Sequence, residues 1–239
     1  MIDTIRAGRF AIGVLYEDNH LLVAVKPPNL PVQADSSGDA DLLRILKDYI
    51  GHKYHKPGNV YLGLVHRLDR PVGGVMVFAR TSKAAARLSR DFAGHAQDKR
   101  YLAVLQGELD APRTLEDWLR KDADGMVRVV PAGAPGGKEA RLTTTPIARA
   151  NGLTRAEVEL FNGRSLQIRV QHAHAGLPLW GDARYGGGRP GQQIALWAWR
   201  LSFQHPTRPE TLRFAAPPPD SGVWTRFRAE IAGWTGERA

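Results

Sequence analysis

Strand-length apolar runs outnumber helical patterns along this 239-residue chain, and several are joined by tight turns rather than helical crossovers. The strongest local signal is Asn151-Gly152, set between residues 141–149 and 153–160, because both residue types tolerate the positive φ of a two-residue hairpin. These observations predict an α+β fold, a mainly antiparallel mixed sheet with peripheral helices. The length allows a substantial core, and a single domain over 1–239 is expected.

Residues 14–17 and 21–25 read as strands about the turn Asp18-Asn19-His20. Lys26-Pro27-Pro28-Asn29-Leu30-Pro31 is a loop, because its prolines supply no backbone N–H. Asp39 is placed to cap a helix carrying Leu42, Leu43, Leu46 and Ile50 on one face, with Gly51 just past its end. Residues 61–65 read as a strand entering the loop around Asp69, and 74–79 as one leaving it. Ser82 caps a helix with Leu88 and Phe92 on a shared face, and 99–106 returns as a strand. Residues 167–175 form a short helix, capped by Ser165 and stopped by Gly176. Strands over 195–203 and 211–214 and a terminal helix over 225–232 complete the order. Ala132-Gly133-Ala134-Pro135-Gly136-Gly137 and Gly186-Gly187-Gly188-Arg189-Pro190-Gly191 read as flexible loops. The first is a surface loop rather than a linker, since motifs that need each other lie on both sides of it.

Lys and Arg outnumber Asp and Glu by 33 to 24, a net charge of +9 that predicts attraction to a polyanion, with nucleic acid ahead of an acidic membrane. The chain has no cysteine, which excludes disulfides, thiolate zinc sites and a Cys nucleophile. Its first residues lack the apolar stretch of a signal peptide, and no uncharged run approaches the roughly 20 residues that cross a bilayer. A soluble cytoplasmic protein is expected.

The chemistry concentrates in three segments. The first is Val65-His66-Arg67-Leu68-Asp69-Arg70-Pro71-Val72-Gly73-Gly74, which sets one carboxylate between two arginines ahead of an apolar run. Neighbouring cations favour the ionised form of Asp69, and Pro with paired Gly makes a tight loop that a ligand can approach. Taken alone, such a tetrapeptide is more often a solvated ion-pair cluster of little energetic weight. The second is Gly163-Arg164-Ser165-Leu166-Gln167-Ile168-Arg169, in which Arg164 and Arg169 bracket a helix start that favours an anion. An ordinary amphipathic helix with exposed arginines is the plainer alternative. His172 and His174 are no metal pair, being two apart on a helix with no i+4 partner. The third is Lys99-Arg100-Tyr101-Leu102-Ala103, where Tyr101 is either a core tyrosine of a sheet or a platform for a nucleobase.

In this order the segments resemble the RluA-type family of RNA pseudouridine synthases. The loop from Lys26 to Val32 is similar to the family's first motif, His66 to Arg70 with Gly74 to its second, and Lys99 to Ala103 to its tyrosine motif. Gly163 to Arg169, continuing to Gly181-Asp182 and Tyr185-Gly186, is similar to the third, and His205-Pro206 with the stretch from Leu212 to Pro218 fits the tail. The resemblance covers residues 14–219. It departs at Val72-Gly73, where Thr-Ser is usual, and at Leu166, where His is frequent, so substrate positioning is expected to differ. With 25 residues ahead of the first motif, the S4 RNA-binding module of many relatives has no room, and a stand-alone catalytic domain is expected.

The resemblance implies a pseudouridine synthase fold around a central catalytic cleft, and a monomer that isomerises uridine in ribosomal or transfer RNA. The bond from ribose C1′ to uracil N1 breaks, the base turns, and C5 rejoins C1′. Nothing is oxidised or hydrolysed, so neither cofactor nor metal is implied. Asp69 would be the catalytic carboxylate, as nucleophile at C1′ or base at C2′. Arg169 would pair with it, and Tyr101 would stack on the flipped uracil. Arg67 would fill the gap left by the extruded base, and His66, Arg70, Arg164, Gln167 and Lys26 would bind substrate. Lys26, Lys99-Arg100, Arg184 and Arg189 are the candidate phosphate contacts. The rival readings are a catalytically idle RNA binder on the same fold and another glycosyl-bond enzyme. The second would call for a pair of carboxylates about the scissile bond, and no second acid stands out.

Overall fold

Alternating apolar residues and tight turns build an antiparallel sheet architecture, with helices on its faces, in a computed structural model that describes residues 1–94, 97–189 and 191–227. The chain divides into two compact units, residues 1–97 with 200–216, and 98–199 with 217–239. Ala132 to Gly137 lies inside the second unit, as expected of a loop rather than a linker.

In the first unit, β1 (Asp3–Ala7), β2 (Phe10–Glu17) and β3 (Leu21–Lys26) form a meander. The helix α1 (Leu42–Lys53) follows, then the short β4 (Gly63–Leu64), β5 (Gly73–Ala79) and the helix α2 (Ser82–Ala93). β5 is buried along its whole length and pairs antiparallel with β3, Val23 opposite Val77 and Val25 opposite Val75. Leu88 and Phe92 of α2 cover one face of these strands, closing a core with Leu21, Val23, Val75 and Val77. The strand expected over 61–65 is shorter, with only Gly63 and Leu64 on the ladder with β5.

The second unit holds β6 (Asp98–Gln106), β7 (Arg113–Lys121), β8 (Val127–Val130), β9 (Lys138–Ala150) and β10 (Leu153–Leu160), with α3 (Gln167–His174) beside them. β9 and β10 turn through Asn151 at φ 51° and Gly152 at φ 72°, the predicted hairpin. The next strand, β11 (Leu196–Gln204), is divided between the units after Trp199, and its second half pairs with β12 (Thr211–Ala215) in the first. A 3-10 turn, Gly222–Phe227, stands where the terminal helix was expected, and 228–232 lie outside the described residues.

Several helix caps differ from expectation by one or two residues. Asp41, not Asp39, accepts the first free N–H of α1, from Arg44 at 3.0 Å, and Gly51 lies inside that helix. Thr81, not Ser82, caps α2. At α3 the Ser165 cap is absent, and Leu166 takes the cap position at φ 56°, where a branched side chain is disfavoured. No side chain caps α3, and the Gln167 side chain accepts from the Arg164 N–H ahead of the helix at 2.9 Å.

Candidate active-site residues

In the first unit, Asp69 opens a turn closed by the Val72 N–H donating to its carbonyl at 2.9 Å, directly before β5. Lys26 fastens that turn. Its ammonium is wholly buried and donates to the carbonyls of Pro27 (3.1 Å), Arg70 (2.9 Å) and Val72 (2.7 Å), so each of its protons meets an acceptor. The Asn29 N–H donates to the same Arg70 carbonyl at 2.9 Å. The proline loop after β3 and the Asp69 turn are thereby one clasped piece. Burial draws the Lys26 ammonium down to about 7, against the negative charge of Asp69, which raises it, and with Arg70, which lowers it further.

Two expectations change here. Lys26, expected to touch RNA, lies inside the protein with its donors committed. Arg70 does not turn towards Asp69, because its guanidinium binds Asp35 at 3.4 Å, Ser37 at 3.0 Å and Asp39. Lys26 is a cation whose charge bears on Asp69. The tetrapeptide pattern could not show this, since it rests on a lysine more than forty residues earlier. His66, a candidate substrate ligand, is also structural: Nε2 accepts from the Val77 N–H at 3.0 Å, and its ring lies 4.9 Å from that of Phe92. Arg67 is exposed.

In the second unit, Tyr101 lies on β6 opposite Val158 of β10. Strand alternation puts Lys99, Tyr101 and Ala103 on one face and Arg100 on the other. Arg100 is held there by Asp98 at 2.8 Å, Glu159 at 3.0 Å and Glu157 at 3.4 Å, which removes it from the expected phosphate contacts. Burial pulls Lys99 down to about 8.

Arg169 projects from α3 in a buried fork, Nε to Asp182 Oδ2 at 2.8 Å and Nη2 to Oδ1 at 2.7 Å, with its guanidinium 5.6 Å from the centre of the Tyr185 ring. Asp182 Oδ1 also accepts from the Arg184 and Tyr185 N–H groups. Burial alone would raise the Asp182 carboxyl, but the Arg169 fork and these donors hold it below the usual carboxylate range. Gly181 beside it has no space for a side chain, because a Cβ there would meet the Gln193 carbonyl oxygen at 2.3 Å. Asp182, part of the third motif, holds the Arg169 guanidinium in place. Gln167 and Arg164 serve the protein's own backbone: Gln167 Nε2 donates to the Arg141 carbonyl at 3.1 Å and Arg164 Nε to that of Glu139 at 2.7 Å.

His172 is buried as a neutral imidazole between Thr144 Oγ1 at 2.8 Å and the Ile168 carbonyl at 2.7 Å, and burial lowers it to about 4. Among the described residues no group of three or more His, Cys, Asp or Glu side chains is arranged to hold a metal, and no helix is long and apolar enough to cross a membrane.

Residues 20–174 match the family model described as RNA pseudouridylate synthase. The chain is similar to YjbO of Bacillus subtilis, named as an uncharacterized RNA pseudouridine synthase, at 34% identity over 91% of this chain and 76% of the relative. It is also similar to ribosomal large subunit pseudouridine synthase D of Pseudomonas aeruginosa, at 31% identity over 88% of this chain and 69% of the relative. Its fold is similar to that of human RNA pseudouridylate synthase domain containing 4, with a TM-score of 0.71 at 20% identity, covering 87% of this chain and 88% of that one. A family model that spans Asp69 and Arg169, joined to relatives that cover most of both chains, leads to one conclusion: the chain belongs to the RNA pseudouridylate synthase family and is an RNA pseudouridine synthase, an isomerase.

Proposed function

We propose that this enzyme converts uridine to pseudouridine at selected positions of structured RNA, ribosomal RNA ahead of transfer RNA, on a base taken out of its stack. The observation that carries the reading is the Asp69 turn, a carboxylate just ahead of β5 whose backbone is clamped by a buried lysine. A fixed carboxylate is what attack at ribose C1′, or proton removal at C2′, demands. The ribosomal preference rests on relatives named for the large ribosomal subunit. Base extrusion follows from chemistry at C1′, C5 and N1, which stacking and pairing hide.

In this reading Asp69 acts on the sugar and Tyr101 offers its ring to the uracil. Arg169, fixed in orientation by Asp182, is the cation that keeps the reacting carboxylate ionised. These roles come from the motifs. Membership of the RluA-type branch, a cytoplasmic location and action as a monomer belong to the same proposal.

The test compares pseudouridine maps of total RNA from a deletion strain, its parent, and strains complemented with wild type or Asp69→Asn. A position lost on deletion, restored by wild type and not by Asp69→Asn, identifies the substrate. Unchanged maps in the deletion strain, together with no conversion of uridine by purified enzyme on that RNA, would overturn the proposal.

A further inference from the structure

Two of the expected phosphate contacts, Lys26 and Arg100, are occupied within the protein, so the charge that draws in RNA must lie elsewhere. In the first unit α2 stands out. Lys83, Arg87 and Arg90 fall within roughly 60° of arc at 100° per residue, on the side opposite Ala84, Leu88 and Phe92, which enter the core. Lys83 and Arg90 are exposed, and Arg87 is half-buried, lending one N–H to the Pro206 carbonyl, which leaves its charge uncompensated.

Several exposed arginines on other elements face acids, as Arg44 does Asp48, Arg128 does Asp122 and Asp124, and Arg149 does Asp110. Among the described residues no carboxylate stands at ion-pair distance from Lys83, Arg87 or Arg90. The helix runs against its own electrostatics. Lys83 lies in the first turn, at the positive end of the dipole, with no acid beside it, and Lys83 and Arg87 are like charges at i,i+4. A polyanion laid along this face would relieve both penalties.

A helix face that carries three cations and no facing acid is the composition that holds phosphates. The far end of α2 also reaches the catalytic segment, through the contact between Phe92 and His66, three residues before Asp69.

We propose that the outer face of α2, through Lys83, Arg87 and Arg90, holds the phosphate backbone of substrate RNA flanking the reacting uridine. This rests on the proposed function, and it assigns RNA grip to a helix outside the sequence motifs.

The experiment uses the full chain and a fluorescein-labelled RNA hairpin, with affinity measured across a salt series. Lys83→Glu/Arg90→Glu is compared with Arg6→Glu/Arg213→Glu, which changes net charge equally at exposed sites away from α2. The α2 pair is expected to weaken binding at least about tenfold at low salt and to reduce the log–log salt slope by about two. It should raise KM while kcat at saturating RNA stays within about twofold, with the circular dichroism spectrum and Tm kept. A loss no greater than that of the Arg6/Arg213 control, or an unchanged salt slope, overturns the inference. Wild type is run for turnover in parallel: if it makes pseudouridine while the α2 pair binds normally, only the α2 assignment falls. If wild type binds but makes none, the proposed function falls instead.

Discussion

Asp69 was legible because its motif is local, a carboxylate, a proline and a glycine pair in six residues, whereas its supporting lysine was misread. Lys26 sits beside a proline loop, and a lysine there reads as solvent-facing until the carbonyls that receive it are seen. Asp69→Asn is expected to leave RNA affinity within a few-fold and lower single-turnover isomerisation at least roughly a thousandfold, since the amide supplies neither nucleophile nor base. Turnover near wild type would remove Asp69 from the chemistry. Lys26→Met leaves buried carbonyls of Pro27, Arg70 and Val72 without their donor, and should cost about 2–4 kcal/mol in urea unfolding and loosen the turn. For Arg169, replacement by Ala strands the buried Asp182 charge and should destabilise by about 3 kcal/mol or more. Arg169→Lys is the sharper probe of catalysis. It keeps the charge without the planar fork, so partial activity with the acid limb of the rate profile moved to higher pH is expected. An unmoved acid limb would dissociate Arg169 from the ionisation of Asp69.

At the scale of elements, β5, α2, β10 and the β9–β10 hairpin were readable because apolar period and turn chemistry agree there. β1, β7 and β8 escaped. In β7, Glu116 faces Arg141 of β9 and forms an exposed cross-strand ion pair at 3.0 Å, so charge stands where an apolar alternation would have announced the strand. The join of α3 to β9 through His172 has a pH signature. Its imidazole titrates near 4 in the fold and near 6.5 when unfolded, so between these values the unfolded chain holds the proton the folded chain excludes. Stability is therefore intact above about pH 6.5 and falls as pH drops towards 4, by roughly 3 kcal/mol in all. Chemical denaturation of wild type and His172→Gln across this range should show the extra slope only in wild type. Parallel slopes would mean His172 does not carry it.

At the scale of the whole chain, the net +9 was a sound indication of a polyanionic partner but not of which cations meet it. Lysines and arginines count equally in a sum, whereas Arg100 is spent on three acids and Lys26 on backbone carbonyls. RNA affinity should still fall steeply with salt, because phosphate contacts release counterions. A folded hairpin should be converted faster than a matched continuous duplex, since less stacking is lost when a loop uridine is extruded. Equal turnover on both RNAs would argue against extrusion as the limiting cost.

The Lys26 clasp also makes this lysine a built-in reporter of breathing at the catalytic turn. A neutral amine is the form that acylating reagents attack, and with its acidity near neutrality Lys26 has a larger neutral fraction than an ordinary surface lysine. What shields it is burial, together with its three hydrogen bonds to carbonyls. Brief acetic anhydride pulses, read by mass spectrometry, should therefore modify Lys83 promptly and spare Lys26, whose labelling rate then measures how often the Pro27–Asp69 clasp comes open.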